Sequence, residues 1–319
     1  MPVCLTPTPR TWSQADVTDA FRIAAQLGSW VSISDPIDWE YVIERWLLHE
    51  GLDCNRGSKI REASLWQTHL IREHKLNLFL QIDPYPTPRT GTLGSKLPIL
   101  HAGATFASPL IRNAYRQEVL NRVEWYKPQM LCLAMEINSY AAENPGDFEN
   151  FVTTFGEVKG AVAARFGADA PLMFTSVQWE QLQTQPGGWS VLERLMAVQD
   201  AVGVSTYPHI RVYAPRWIPD DYYSRFRAHA HKPFVFAELG WPTRFLGGSE
   251  AGQAAFVQRF GELTRGMNVL CANWIALHDG AYGPPFDSMG LFRADGVPKP
   301  ALASWKSLAQ SRDREGAVR

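Results

Sequence analysis

The chain lacks several features, and each absence narrows its chemistry. Charge of one sign is missing: 31 Lys and Arg against 32 Asp and Glu leave a formal net charge of −1 over 319 residues. No electrostatic footprint therefore favours nucleic acid, an anionic membrane or a polyanionic substrate. No stretch approaches the roughly 20 apolar residues of a membrane-spanning helix, so a water-soluble protein is expected. The N-terminus carries no basic segment followed by an apolar run and a cleavage site. A first strand at Val3 to Thr6 would start almost at residue 1, which fits a trimmed secreted or periplasmic precursor as well as a cytoplasmic protein. Localisation stays open.

The four cysteines, Cys4, Cys54, Cys132 and Cys271, show neither CxxC nor Cys/His ligand spacing. Buried free thiols are expected, with no disulfide framework and no metal. His229-Ala230-His231 precedes a strand at its N-terminal end and reads as a solvated helix end. There is no internal repeat, low-complexity block or linker, so one domain over residues 1–310 with a charged tail at 311–319 is expected.

What is present is regular alternation. Strand-like runs at Val3 to Thr6, Trp30 to Ser34, Leu76 to Ile82, Leu131 to Glu136, Leu172 to Val177, Ala201 to Tyr207, Phe234 to Glu238 and Val269 to Ala276 are separated by amphipathic stretches. The stretches Ser13 to Leu27, Ile37 to Glu50, Ser64 to Lys75, Pro109 to Tyr126, Asp147 to Phe166, Trp189 to Gln199, Asp220 to His229, Glu250 to Thr264 and Lys299 to Ala309 carry caps or helical spacing. Eight βα units imply parallel strands closing into a single (β/α)8 TIM barrel. A doubly wound sheet would place a Gly-rich phosphate turn after the first strand, where Thr6-Pro7-Thr8-Pro9-Arg10 offers none. Gly51 to Ile60 reads as a polar loop, and the Pro- and Gly-rich segment Asp83 to Ser108 as a long βα loop over the active face.

Two glutamates close two of these runs, Glu136 after Leu131 to Met135 and Glu238 after Phe234 to Ala237. A carboxylate at the C-terminal end of a buried strand is costly to desolvate, so a matching pair points to a catalytic site. Strand parity places Glu136 on the face of Ala134 and Cys132, Tyr207 on that of Gly203 and Ser205, and Glu238 on that of Phe234 and Phe236. Both glutamates are then expected to project inward, across the barrel mouth from each other.

The segments Met135-Glu136-Ile137-Asn138, Ser205-Thr206-Tyr207-Pro208 and Glu238-Leu239-Gly240-Trp241-Pro242-Thr243 resemble the strand-four, strand-six and strand-seven motifs of the clan A retaining glycoside hydrolases. Within the clan the likeness is to the β-1,3-glucanase family (Glu-x-Gly-Trp-Pro) and the endo-β-1,4-galactanase family (Glu-Ile-Asn and Tyr-Pro). Gly290 to Ala301 is similar to the last loop and helix of such enzymes. The resemblance implies a cofactor-free hydrolase of β-linked oligosaccharides or polysaccharides, with Glu136 as acid/base and Glu238 as nucleophile. It further implies that Tyr207 hydrogen-bonds the nucleophile and that Trp274 floors the adjoining sugar subsite. Such a mechanism needs carboxyl groups about 5 to 5.5 Å apart, one attacking the anomeric carbon and one protonating the leaving oxygen.

One position departs from the pattern. The Asn that usually precedes the acid/base is Met135 here, with Asn138 as a candidate substitute contact. That departure opens a second reading, a noncatalytic carbohydrate-binding barrel. A metal-dependent barrel hydrolase would expect His-x-His after the first strand, where Thr6-Pro7-Thr8 stands. Further substrate contacts are expected from Trp241, His278, Gln178, Asp83 and Tyr85, with Asp279 and Glu180 as neighbouring acids. Packing or solvated loops are the alternative explanation for each. Sugar identity, linkage, endo or exo action and oligomeric state are not encoded legibly.

Overall fold

A computed structural model of the chain describes residues 1–47, 54–85, 93, 103–245 and 247–316. Its strands are β1 (Val3–Leu5), β2 (Trp30–Ser34), β3 (Asn77–Gln81), β4 (Met130–Cys132), β5 (Leu172–Phe174), β6 (Ser176–Gln178), β7 (Val202–Thr206), β8 (Phe234–Leu239) and β9 (Val269–Trp274). The helices are α1 (Gln14–Leu27), α2 (Trp39–Leu47), α3 (Cys54–Glu73), α4 (Pro109–Tyr126), α5 (Ile137–Glu143), α6 (Pro145–Phe166), α7 (Trp179–Leu182), α8 (Gly188–Met196), α9 (Glu250–Leu263) and α10 (Pro300–Gly316). This is the element order of a (β/α)8 barrel. The predicted eight runs appear as nine strands because the fifth is interrupted at Thr175. Among the described residues no helix is long and apolar enough to cross a membrane.

Contacts divide the chain into two compact units. One comprises Met1–Ser32, His74–Asn77 and Gly203–Arg319, the other Ile33–Glu73 and Leu78–Val202. In the first, β1 pairs in parallel with β2 through Cys4 and Trp30 and with β9 through Leu5 and Trp274. The Ser13 hydroxyl caps α1 by accepting from the Asp16 amide, and Ser249 caps α9 on Gly252. Phe236, Phe256, Phe260, Trp274 and Trp305 form the core against α9 and α10. Cys4 and Cys271 are buried free thiols there, and burial followed by the Cys271 thiol pushes Cys4 well above the ordinary thiol range.

The second unit pairs β3 with β4, Leu80 opposite Leu131, and β4 with β5, Leu131 opposite Met173. Trp39, Tyr85, Phe106, Tyr115 and Phe151 interlock edge to face on one side of it. A buried ion cluster runs beside them: Arg122, 1% exposed, reaches Glu118 at 2.7 Å and also pairs with Asp35. Cys132 is a third buried free thiol, and the Cys54 side chain lies outside the described residues.

Several expectations need correction. Of the predicted loop at Gly51 to Ile60, residues 51–53 lie outside the described residues, and Cys54 to Ile60 form the first turns of α3. A polar run without proline suits a helix as well as a loop. Asp220 to His229 is turn followed by a 3-10 helix at Ser224–Ala228 rather than an α-helix. The buried rings Tyr223 and Phe226 lie three residues apart, the spacing that a 3-10 turn stacks on one side. Most of the predicted loop at Asp83 to Ser108, residues 86–92 and 94–102, lies outside the described residues. Helix α10 continues through Ser311 to Gly316, where a tail was expected.

Removing one member of a buried ion cluster strands the others in low dielectric. Arg122→Ala is expected to lower the unfolding free energy by about 3 to 5 kcal/mol, measured by urea denaturation. A change under about 1 kcal/mol would mean that the cluster is solvated.

Candidate active site

Glu238 owes its orientation to an irregularity in β8. Phe236 pairs with Ala272 and Leu239 with Trp274, so three steps on β8 match two on β9. The extra residue breaks the strict alternation from which the parity reading was made. Phe236 turns toward the helices, with its ring centroid 4.8 Å from Phe260 of α9. The expectation that Glu238 shares the face of Phe236 is therefore corrected: the register shifts between Phe236 and Leu239, and the two side chains meet different neighbours. Glu238 is half-buried, and its Oε2 accepts a 2.8 Å hydrogen bond from the Tyr207 hydroxyl. That is the contact the family resemblance implies for these two residues.

Gly240 follows in the tightest part of the motif. A Cβ there would lie 2.8 Å from Met289 Sδ and 3.1 Å from an Ile275 methyl. The absence of a side chain lets the strand end approach the loop behind β9. Tyr207 stands one residue beyond β7 and packs with Ile275, Ala276 and Met289. Phe286 meets its ring edge to face at 5.1 Å.

Two residues that sequence reasoning passed over adjoin this pair. Tyr282 is 39% exposed, and its hydroxyl points at the Ile275 carbonyl, 3.4 Å away. Burial of the hydroxyl, reinforced by the charge of Glu238, pushes the Tyr282 phenol well above its ordinary range. His209 lies only 5% exposed between Tyr207, Trp241 and Phe245. Neither of its ring nitrogens finds a hydrogen-bond partner, and burial depresses its pKa to about 4. The signal for Tyr282 was the aromatic loop Gly280-Ala281-Tyr282-Gly283-Pro284-Pro285-Phe286. For His209 it was the residue following Tyr207-Pro208.

In the other unit Glu136 is also half-buried, but it is not a strand residue. Strand β4 stops at Cys132, and Glu136 adopts φ 48° and ψ 43° as the N-cap of α5. The parity argument for Glu136 thus fails between Ala134, whose carbonyl still accepts from the Ser176 amide at 3.0 Å, and the left-handed Glu136. Left-handed backbone is uncommon outside glycine and asparagine and carries strain. It is held in place by neighbours: the Glu136 amide donates to Ser176 Oγ at 3.0 Å, and the Ser139 amide donates to the Glu136 carbonyl at 2.9 Å.

Asn138 is fully buried and acts as a clamp. Its Oδ1 accepts from the Gln178 amide at 2.7 Å, its Nδ2 donates to the Gln178 carbonyl at 3.3 Å, and its own carbonyl accepts from Gln185 Nε2 at 3.0 Å. The expectation of a sugar contact from Asn138 is corrected accordingly, because the amide is spent on β6. Gln178 stays partly exposed, with Nε2 on Glu180 at 2.8 Å. Met135 is buried, with Sδ 3.8 Å from Ser34 Oγ.

Burial also corrects the remaining candidates. Trp274 is 0% exposed and donates to the Met289 carbonyl at 2.7 Å, and Trp241 is 2% exposed against Phe256. Neither presents a ring face for stacking. His278 is buried with Nδ1 2.8 Å from the Thr8 carbonyl, and Asp279 binds Lys299 at 2.7 Å. Tyr85 stacks on Tyr140 at 3.8 Å inside the aromatic cluster, and Asp83 is buried with Oδ1 3.3 Å from the Tyr85 amide. Large aromatic and polar residues near strand ends read the same in sequence whether they face a cleft or a helix.

No family model and no curated protein matches the sequence. Solved structures do match. GH5_18 from Streptomyces cattleya, as a variant in complex with Manβ1-4GlcNAc, superposes with a TM-score of 0.71 at 15% identity, covering 98% of this chain and 81% of that one. An exo-β-1,4-mannosidase from Opitutaceae bacterium strain TAV5 gives 0.71 at 13% identity, over 99% of this chain and 60% of that one. A fungal β-1,4-galactanase gives 0.64 at 12% identity, over 91% and 90%. At these identities the fold is what is shared: the chain is a (β/α)8 barrel of the kind these proteins adopt.

His209 yields a prediction for this site. The unfolded chain takes up a proton near pH 6.5 that the folded histidine refuses until about pH 4. Stability is therefore fully present above this window and falls as pH drops through it. His209→Phe is expected to flatten that acid slope in thermal unfolding scanned from pH 7 to 4. An unchanged slope would assign the acid sensitivity to other groups.

Proposed function

We propose that the chain is a retaining glycoside hydrolase acting on a β-linked oligosaccharide or polysaccharide, with Glu238 as nucleophile and Glu136 as acid/base. The observation that carries the reading is the Tyr207–Glu238 hydrogen bond, formed at a strand bulge inside the motif that resembles the clan's nucleophile strand. A phenol donating to a carboxylate fixes the orientation of that carboxylate. The strained backbone of Glu136 is the second support, because such conformations persist where neighbouring structure enforces them and cluster at functional positions.

In this reading a Glu238 oxygen attacks the anomeric carbon as the leaving oxygen takes the proton from Glu136, and the glycosidic bond breaks. Glu136, now ionised, removes a proton from water. That water displaces Glu238 from the sugar and restores both groups with retained configuration. The binding of Manβ1-4GlcNAc by a protein of the same fold places β-mannosides beside β-glucans and β-galactans among the substrates to screen. A second reading, a carbohydrate-binding barrel without turnover, is favoured by Met135, whose thioether cannot replace an asparagine amide at a sugar hydroxyl.

Glu238→Ala and Glu136→Ala are each expected to lower turnover about 10³-fold or more. Azide should rescue the two variants to glycosyl azides of opposite anomeric configuration, resolved by NMR. Wild-type turnover in either variant would end the assignment, whereas a wild type that binds sugar without releasing product would favour the second reading.

A further inference from the structure

The glycosidase reading leaves a structural question about what the sugar ring rests on. A pyranose presents a flat apolar face, and an exposed aromatic ring beside the reacting carbon is the usual complement to it. The strand tryptophans cannot serve. Trp274 has no exposed surface, its indole nitrogen is held by the Met289 carbonyl, and its ring is enclosed by Phe256 and Trp305. Trp241 is enclosed by His209 and Phe256.

The loop between β9 and α10 brings two other rings to Glu238. Phe286 sits edge-on against Tyr207, the residue that hydrogen-bonds the nucleophile, and packs on the cluster formed by Tyr207, Ile275, Ala276 and Met289. Tyr282, four residues earlier, is 39% exposed and directs its hydroxyl at the Ile275 carbonyl in that same cluster. Its phenol feels the charge of Glu238, in keeping with their shared neighbours Ile275 and Tyr207. A partly exposed ring anchored at its polar tip is fixed in position while apolar surface stays available.

We propose that Tyr282 is the sugar-stacking platform beside Glu238, replacing the buried strand tryptophan. The inference rests on the glycosidase reading, and it assigns substrate affinity to the loop after β9. The sugar ring stacks on the Tyr282 face, so losing that face weakens binding without removing a reacting group.

The test compares wild type, Tyr282→Ala, Tyr282→Phe and Glu238→Ala on Manβ1-4GlcNAc, laminaribiose, cellobiose and β-1,4-galactobiose. Hydrolysis kinetics are run in parallel with calorimetric binding. Tyr282→Ala is expected to raise KM or Kd about tenfold or more with kcat within a few-fold of wild type, and Tyr282→Phe to raise it by less than Tyr282→Ala because it keeps the ring and loses only the anchoring hydroxyl. An inactive Glu238→Ala alongside a Tyr282→Ala of unchanged KM would overturn the platform and leave the glycosidase standing. A Glu238→Ala variant as active as wild type would sink the glycosidase reading and the platform with it. A wild type that neither cleaves nor binds any of the four sugars would overturn both.

Discussion

The bulge in β8 is the constraint on which the Glu238 half of the candidate site depends. A strand strictly alternating from Phe234 would have put Glu238 on the side where Phe236 meets Phe260, against a helix and away from water. One extra residue between Phe236 and Leu239 releases the carboxylate from that face, where Tyr207 can donate to it. The surrounding packing is arranged to keep the irregularity: Gly240 admits Met289 and Ile275 at distances a side chain would forbid, and Gln253 of α9 donates to the Trp241 carbonyl at 3.0 Å. The cost of an interrupted ladder is offset by side-chain hydrogen bonds around it.

Glu136 is positioned by a different device. A short strand ends early, the backbone enters the left-handed region, and a seven-residue helix begins at once. Ser176 holds the Glu136 amide while Asn138 binds both backbone groups of Gln178, so side chains carry the fastening to β6 beyond the last backbone bond, from the Ser176 amide to the Ala134 carbonyl. In that light the Glu-Ile-Asn motif has a mechanical meaning. Its asparagine secures the backbone that presents the glutamate.

Much of this was legible in sequence, for identifiable reasons. The alternation of apolar runs with capped amphipathic stretches located the strands to within a few residues, and Ser13 marked its helix start correctly. The glutamates stood out because carboxylates are rare at the ends of apolar runs, and the spacing of Tyr207 and Glu238 within their motifs led to a contact the structure contains. What failed was the parity argument. Parity assumed unbroken extended backbone through Glu136 and Glu238, and both strands depart from it, one by stopping and one by bulging. Burial was equally opaque: Trp274, Tyr85 and His278 read as cleft residues because aromatic and imidazole side chains serve packing and recognition alike.

The sequence by itself determined the order of the elements and the (β/α)8 fold class and singled out two glutamates as candidates, since these follow from local periodicity and from the rarity of charge in apolar runs. Only the tertiary structure decided which aromatic rings lie open, how the carboxylate of Glu238 is turned, and that Asn138 serves the backbone. Those outcomes depend on contacts between residues far apart in the chain, such as Trp274 with Trp305 and Tyr207 with Glu238, and no local pattern carries them.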